Sequence, residues 1–596
     1  MDLKDLHLHW GESKYKGTSY RSYSLARPYR MNGKNRKEIV LKLGKLGEEE
    51  VLRWRYLLKG IKKPDTVVTS FDDLVVTDHY AYLDVAVVNA TWDYWNLDEV
   101  FNPNEKKYVD TSTIARILSI NRCIDPMAKS KTPEWFKATA LPWLLNMNAD
   151  QINSSRIFRE LNEIEQQKES LCKHVYQKIK RVNPDSLSSV FYDLSSTTFS
   201  GSKCMLMNWG HCKEGYKNHV VLALVVNRDG LPFYWEVLPG CTTDSNTIIW
   251  LLDCCKERFA NMEMTLVFDR GMVSDDNLTR LEGDRIKYIT AMDRNQMENI
   301  CGIDFTEFEH LESDKVEEQA GQLPDFTEID NRTYYREIKV EDKRRYILCF
   351  NPQLFKDQQR ARLQAIENFR TFSKTLNAEL LAAKKSRDKV PTLKKFNQKL
   401  TKLKLSQFVN VRLRAKRLTV YSSGKKRTVK TFQAATYVDD AKMHLAGKLD
   451  GFWLAVTNHT EKVHDRFEKS AEEIIGPYRE KTIIEEGFRD IKSFIQVAPV
   501  YVWTIAHVKG HYTACVLSYL MDRTLTLRLH ENPGSLTSDV VTHKRLYEQL
   551  SSCQIDRIEV ARMDHSATNL TRATKEQKEL LARIGLKNLL NYKTPV

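Results

Sequence analysis

Three acids stand where packing alone gives little reason for them. Asp193 follows the β-rich run SVFY, and Asp269 follows the apolar run LVF and precedes Arg270-Gly271. Glu485 lies among the cations of YREKTIIEEGFRDIK, Tyr478–Lys492. An aspartate directly after a short apolar strand either caps the next segment or points at a ligand, and strand ends in open α/β sheets are where sites form. Carboxylates without His or Cys suit a hard cation that prefers oxygen ligands and leaves room for phosphate. Two such ions about 3.5–4 Å apart can serve the attacking and leaving oxygens of a phosphoryl transfer. Acids gathered this way repel one another unless a bound cation or nearby lysines offset the charge.

Wound as an α-helix at about 100° per residue, Tyr478, Lys481, Glu485, Arg489 and Lys492 fall within one arc of roughly 80°. Ile484, Phe488, Ile491 and Ile495 form the adjoining stripe, the pattern of a core-facing helix. Glu486 points elsewhere, which favours Glu485 over its neighbour as the third acid. The bland alternative is a solvated face with Glu–Lys pairs worth a few tenths of a kcal/mol each. On the functional reading Lys481, Arg489 and Lys492 hold phosphates, and Tyr478 stacks or hydrogen-bonds beside them.

The elements that must position these residues read as α/β. Ser189–Ser196 is a strand with Asp193 near its end, and His219–Gly240 is two strands joined at Asn227–Gly230. Thr247–Phe259 and Ser274–Leu281 read as helices, Met264–Gly271 as a strand stopping on Asp269, and Ile286–Met292 and Phe452–Asn458 as further strands. A meander followed by alternating helix and strand is an α/β order. Gly476-Pro477 reads as a helix start, and Ala506–Leu527 as a helix apolar on one face. Upstream, Ser154 is expected to cap a helix and Ile164–Lys180 to form another.

The motifs FYDLSSTTF, LVFDRGMVS and Y478-x2-K481-x3-E485-x6-K492 together resemble the DDE transposases of bacterial insertion sequences, more narrowly the insertion-sequence-four group with its Tyr-Arg-Glu-Lys helix. The resemblance covers most of 20–530 in layout. It implies a ribonuclease-H-like catalytic core, a mixed sheet with flanking helices, interrupted by an insertion domain and preceded by a β-hairpin and a helical N-terminal region. It implies Asp193, Asp269 and Glu485 as catalytic metal ligands, two Mg²⁺ ions replaceable by Mn²⁺, cleavage at terminal inverted repeats and joining of 3′-hydroxyls to target DNA. Lys481 stands where the group's motif has arginine, with arginine at Arg479 instead; lysine is a point charge, not a bidentate fork. Members of the group often pass through a hairpin intermediate that unstacks a base near an aromatic. Trp453 and Trp503 could serve, although both read better as core.

On this basis 1–110 is a basic β-hairpin region for DNA binding and 111–185 is a helical domain. The core occupies 186–295 and 446–530 around an insertion at 296–445, and 531–596 is a polar, peripheral tail. The hairpin centres on Asn32-Gly33, a strong turn dipeptide. Within the insertion, residues 304–330 hold ten acids and one lysine, whereas 356–430 hold 22 Lys+Arg against 4 Asp+Glu. Arg270, Arg479, Lys394, Lys395 and Lys399 join the candidate DNA contacts.

The whole chain carries 92 Lys+Arg against 78 Asp+Glu, net +14, which suits a polyanionic partner. Eleven cysteines without a C-x-x-C pair argue against a disulfide framework, and Cys204, His211 and Cys212 lack the second pair a zinc site needs. No apolar run is long enough to span a bilayer. The expectation is a cytoplasmic, nucleoid-associated bacterial enzyme acting as a homodimer on two transposon ends and target duplex, with no membrane partner. A metal-dependent nuclease without strand transfer and a non-catalytic DNA-binding protein are the competing readings.

Overall fold

A computed structural model describes residues 3–15, 18–63, 68–101, 109–200, 203–212, 215–243, 247–251, 253, 264–293, 296–297, 303–330, 332–341, 343–422, 425–561 and 566–592. The chain forms two units, one of residues 1–87, 136–148 and 544–596, the other of 88–135 and 149–543.

In the first unit, β1 (His7–Tyr15), β2 (Thr18–Met31) and β3 (Lys34–Gly44) form an antiparallel sheet. Asn32 and Gly33 both take positive φ, 51° and 74°, so the expected hairpin turns at the expected dipeptide. Leu6, Leu25 and Leu58 bury the base of this sheet against α1 (Glu48–Lys62). Residues 28–41 beyond that base are exposed on both faces. The stretch expected as a peripheral tail is instead built into this unit. Gln554–Val560 pairs with both Ser566–Leu570 and β4 (Leu74–Ala81), and Leu546, Leu550, Cys553, Ile555, Leu580 and Leu581 are fully buried. Its apolar residues are spaced among many polar ones, so mean polarity hides a buried stripe.

The second unit is organised by a mixed sheet with ten strands among the described residues. Ahead of it lie α2 (Thr111–Ile124), α3 (Ser154–Gln166) and α4 (Lys168–Val182). Asn153, not Ser154, caps α3, its side chain accepting from the Arg156 amide. The sheet then takes β5 (Ser189–Thr198), β6 (Asn208–Cys212), β7 (Gly215–Asn227), β8 (Pro232–Pro239) and β9 (Thr265–Phe268). After α5 (Asp275–Gly283) it takes β10 (Lys287–Ala291), β11 (Thr327–Asp330), β12 (Thr333–Glu341) and β13 (Arg344–Phe350). Of the helix expected over Thr247–Phe259, residues 247–251 are helical; residue 252 and residues 254–263 lie outside the described residues.

The stretch 296–445, expected to be wholly an insertion, therefore lends three strands to the main sheet. The run YILCF, Tyr346–Phe350, is buried throughout and pairs with β16 (Phe452–Thr457). What stands apart is a subdomain with its own apolar cluster. It is made of α6 (Pro352–Leu381), α7 (Lys389–Lys402), the hairpin β14 (Val409–Ser422) and β15 (Lys425–Val438), and α8 (Asp440–Gly447).

Downstream lie α9 (Ala471–Glu480), α10 (Thr482–Arg489) and α11 (Ile505–Glu531). Helix α9 starts at a Ser470–Glu473 capping box rather than at Gly476-Pro477, so Pro477 lies inside it; reciprocal side-chain bonds at Ser470 satisfy the helix end first. Helix α11 is buried on all sides over most of its length, not on one face, because the sheet and α2 and α3 pack around it; Ser518 bonds the Ser119 carbonyl and Trp235 donates to Thr513.

Candidate active site

Strand register brings the first two acids together. β5 and β9 run parallel with Ser189–Tyr192 opposite Thr265–Phe268, so Asp193 and Asp269 are the next residues on adjacent strands. Neighbouring strands lie about 4.8 Å apart. Asp193 is not at the end of its own strand, as expected, because β5 continues to Thr198 against β7. It is at the end of the parallel pairing, which is what matters for the site.

Beyond β9, Asp269 precedes a short 3-10 turn, Arg270–Met272, without capping it through its side chain. Its carboxylate instead accepts from Lys481 Nζ at 2.6 Å. Burial works against ionisation of Asp269, but the Lys481 hydrogen bond and charge and the Arg270 backbone amide hold its pKa below the usual carboxylate range. Burial likewise disfavours the Lys481 ammonium; Tyr478, Asp269 and Asp193 more than compensate and raise its pKa. Asp193 is thus within electrostatic reach of the same lysine.

The third acid arrives on the helix. Asp269, Arg270, Tyr478, Lys481 and Glu485 line one cavity of about 300 Å³ with Ala291, Met292, Met297, Phe452 and Trp453. Ile484, Phe488, Ile491 and Ile495 are buried behind it, as their spacing predicts. Glu486 faces away. Its charge acts on Asp490, whose pKa burial pushes up to about 6 despite Arg489, and on the Tyr519 phenol. The two glutamates therefore separate as the helical wheel predicts.

The helix itself departs from a single α-helix. α9 and α10 join at Lys481, and residues Asp490–Phe494 form a π turn. Such turns carry an extra residue and rotate the downstream side chains about the axis. Lys492, half-buried in that turn, and exposed Arg489 are not among the residues lining the cavity. Arg479 is turned to Asp330 at 2.7 Å. Lys394, Lys395 and Lys399 lie on α7, the first two exposed and the last with its ammonium 5.4 Å from the Phe372 ring centroid.

Several contributors carried no motif signal. Arg228, in the β7–β8 turn, grips Glu480 with two bonds of 3.0 and 2.8 Å. With Arg479–Asp330, this ties down both residues just before Lys481. Tyr519 of α11 donates to the Gly230 carbonyl, and a Cβ on Gly487 would sit 2.7 Å from the Tyr519 oxygen, so α10 packs there only with glycine. Trp453 is half-buried and stacks on Tyr478, centroids 5.0 Å apart, whereas Trp503, expected to be core, is 66% exposed. The pairing of Glu480 with a turn some 250 residues away has no local signature that could have exposed it.

Among the described residues no three His, Cys, Asp or Glu side chains converge as a ready-made metal-ligand set. Lys481 supplies the positive charge at Asp269. The donor set nevertheless fits hard divalent cations, being oxygens only: Asp269 and Glu485 line the cavity, and Asp193, not among its lining residues, stands on the strand beside Asp269. No helix of the described residues is long and apolar enough to cross a membrane.

Two family models match the chain: the IS1634 family transposase N-terminal domain over residues 11–67 and the transposase DDE domain over residues 195–521. The search of curated proteins found no match. Among solved structures, the piggyBac transposase synaptic complex with hairpin DNA is similar at 10% identity, covering 86% of this chain and 84% of that one with a TM-score of 0.32. The Mos1 transposase paired-end complex with left transposon end is similar at 13% identity, covering 41% and 68%, with a TM-score of 0.13.

Proposed function

The chain belongs to the DDE transposases of insertion sequences, whose domain model spans more than half of it, and from that premise we propose that Asp193, Asp269 and Glu485 are its catalytic acids. The observation that carries this assignment is the β5–β9 register, which sets Asp193 beside Asp269, joined to a cavity whose wall includes both Asp269 and Glu485. The surrounding sheet is read as a ribonuclease-H-like core, and the spacing of Tyr478, Lys481, Glu485 and Lys492 supports reading the chain as a member of the insertion-sequence-four group.

The three carboxylates would hold two divalent ions, Mg²⁺ or Mn²⁺, which supply Lewis-acid stabilisation of the attacking and leaving oxygens. The protein's own groups do the rest. Lys481 holds Asp269 ionised and would offer its ammonium to a DNA phosphate at the cavity. Arg270 presents a second cation at the mouth, and Arg489 and Lys492 extend the positive edge along the helix. The stacked Trp453–Tyr478 pair forms an apolar wall that orients the phosphodiester and limits water.

Hydrolysis at an element's end frees a 3′-hydroxyl. That hydroxyl then displaces a 3′ oxygen in target DNA, one phosphodiester forming as one breaks. Two ends must be joined, so the working species is a homodimer paired on two terminal repeats, acting in the cytoplasm on nucleoid DNA.

The test supplies the chain with a labelled terminal-repeat duplex, a target plasmid and Mg²⁺. Cleavage with joined product is expected, lost on Asp269→Asn with duplex binding retained. Cleavage without joining would instead make the chain a nuclease of the same core, and an Asp269→Asn variant that still joins ends would overturn the site.

A further inference from the structure

A long exposed cationic feature of the second unit lies away from the helix that carries Glu485. Residues 407–438 contain eight Lys or Arg and no Asp or Glu. They fold into β14 and β15, two 14-residue strands in unbroken antiparallel register from Val409↔Val438 to Ser422↔Lys425. At about 3.3 Å per residue the ribbon is roughly 45 Å long.

Packing runs from its base as far as Val429, opposite Leu418. Phe408, Val409 and Ala434 join the apolar cluster of α6 and α7; Asn377 holds both the amide and the carbonyl of Ala434, and Thr431 bonds the Leu380 carbonyl. Alongside that packing the side chains of Arg414, Lys416 and Arg417 are exposed, and beyond it so are those of Lys425, Lys426 and Arg427, with Tyr421 73% exposed near the tip. None of these six cations forms an ion pair among the described residues. The contrast with the N-terminal ribbon is direct, because there Arg27 is paired with Glu38 at 2.6 Å. A ribbon of unopposed like charges is destabilised by self-repulsion in isolation, a cost that a polyanion reverses.

Topology roots this ribbon at the site. The subdomain leaves the sheet after Phe350 and returns at Phe452, which are paired to each other. Phe452 and Trp453 line the cavity, and β16 runs antiparallel to β10, so its start lies at the same sheet end as the close of the parallel strands β9 and β10.

We propose that the β14–β15 ribbon is a duplex-DNA clamp. It contacts the phosphates of both strands, with a width suited to lying in a major groove, and adds sequence-independent affinity to DNA engaged at the cavity. The proposal rests on the transposase reading for its ligand, and it moves the insertion's main DNA contact from α7 to the hairpin.

The experiment measures affinity of the full chain for a terminal-repeat duplex and a shuffled duplex of equal length, without divalent metal, across a salt series. The variant carries Arg414→Gln, Lys416→Gln, Arg417→Gln, Lys425→Gln, Lys426→Gln and Arg427→Gln, and circular dichroism with thermal melting checks its fold. Six lost phosphate contacts should reduce the slope of log affinity on log salt by about 5, equally on both duplexes. A variant with Lys394→Gln, Lys395→Gln and Lys399→Gln should change it by less. A folded ribbon variant with an unchanged slope overturns the proposal, as does a variant whose slope holds while its self-association is lost, which would make the ribbon a protein contact. Failure of the transposase reading looks different: wild type would not join DNA ends, whatever its slope.

Discussion

The cavity and the β14–β15 ribbon handle charge in opposite ways. At the cavity, charges of both signs are committed to one another: half-buried Asp269 to half-buried Lys481, and, just before Lys481 on the helix, exposed Arg479 and Glu480 to Asp330 and Arg228. On the ribbon, charges of one sign are exposed and uncommitted among the described residues. The first arrangement fixes geometry, which phosphoryl transfer needs because small misplacements cost rate steeply. The second fixes only a potential, which suffices to hold a duplex of any sequence. A single chain thus separates precision from grip, and variants in the two places should fail differently.

The sharpest contrast comes from the acids. Asp193→Asn, Asp269→Asn and Glu485→Gln should each lower cleavage by about a thousandfold or more, as loss of a dominant electrostatic contributor does, with duplex affinity nearly unchanged in gel-shift titrations. Glu486→Gln should retain cleavage; if it is the dead variant, the helix assignment is off by one residue. Lys481→Met removes a charged hydrogen bond worth about 1.5–3 kcal/mol, so maximal cleavage should fall roughly tenfold to a hundredfold. The same change should lower the Mg²⁺ concentration for half-maximal rate, since no ammonium then competes at Asp269.

Next comes the clamp. Arg228→Met or Glu480→Gln should cost about tenfold in rate through misplacement of the helix, yet under about 1 kcal/mol in stability because the pair is partly exposed. The charge-swapped pair Arg228→Glu with Glu480→Arg should recover part of the rate. Gly487→Ala forces a methyl against Tyr519 and should cost about 1–3 kcal/mol in chemical denaturation.

The smallest effect is on pH dependence. Asp269 has a lowered folded pKa, so its contribution is present above the usual carboxylate range of about 4 and is lost as pH falls through the lower folded value. Lys481 has a raised one, so its contribution is present below about 10.4 and is lost as pH rises past the folded value. The stability difference between wild type and Asp269→Asn should therefore be flat from about pH 5 to 9. A change inside that window, followed by thermal melting, would show the pair to be looser than its 2.6 Å contact.

Much of this was readable in local pattern. Asn32-Gly33 supplies the two positive-φ residues a tight hairpin requires, so the turn needs no tertiary help. The stripe Ile484, Phe488, Ile491, Ile495 states which side of the helix is buried and so separates Glu485 from Glu486. The runs before Asp193 and Asp269 mark strands by their own apolar content.

What the order of residues determined by itself was whatever depends on neighbours along the chain: turn dipeptides, burial stripes, acids at the edges of apolar runs, and the excess of cations in 407–438. Only the tertiary structure decided which strands lie side by side, that Asp193 sits within β5 yet at the close of its pairing with β9, and that Arg228 and Asp330 hold the helix through consecutive residues. It also decided that 544–596 folds with the N-terminal residues. Contacts between distant segments are selected by packing and register over the whole unit, and a residue type alone carries no address for its partner.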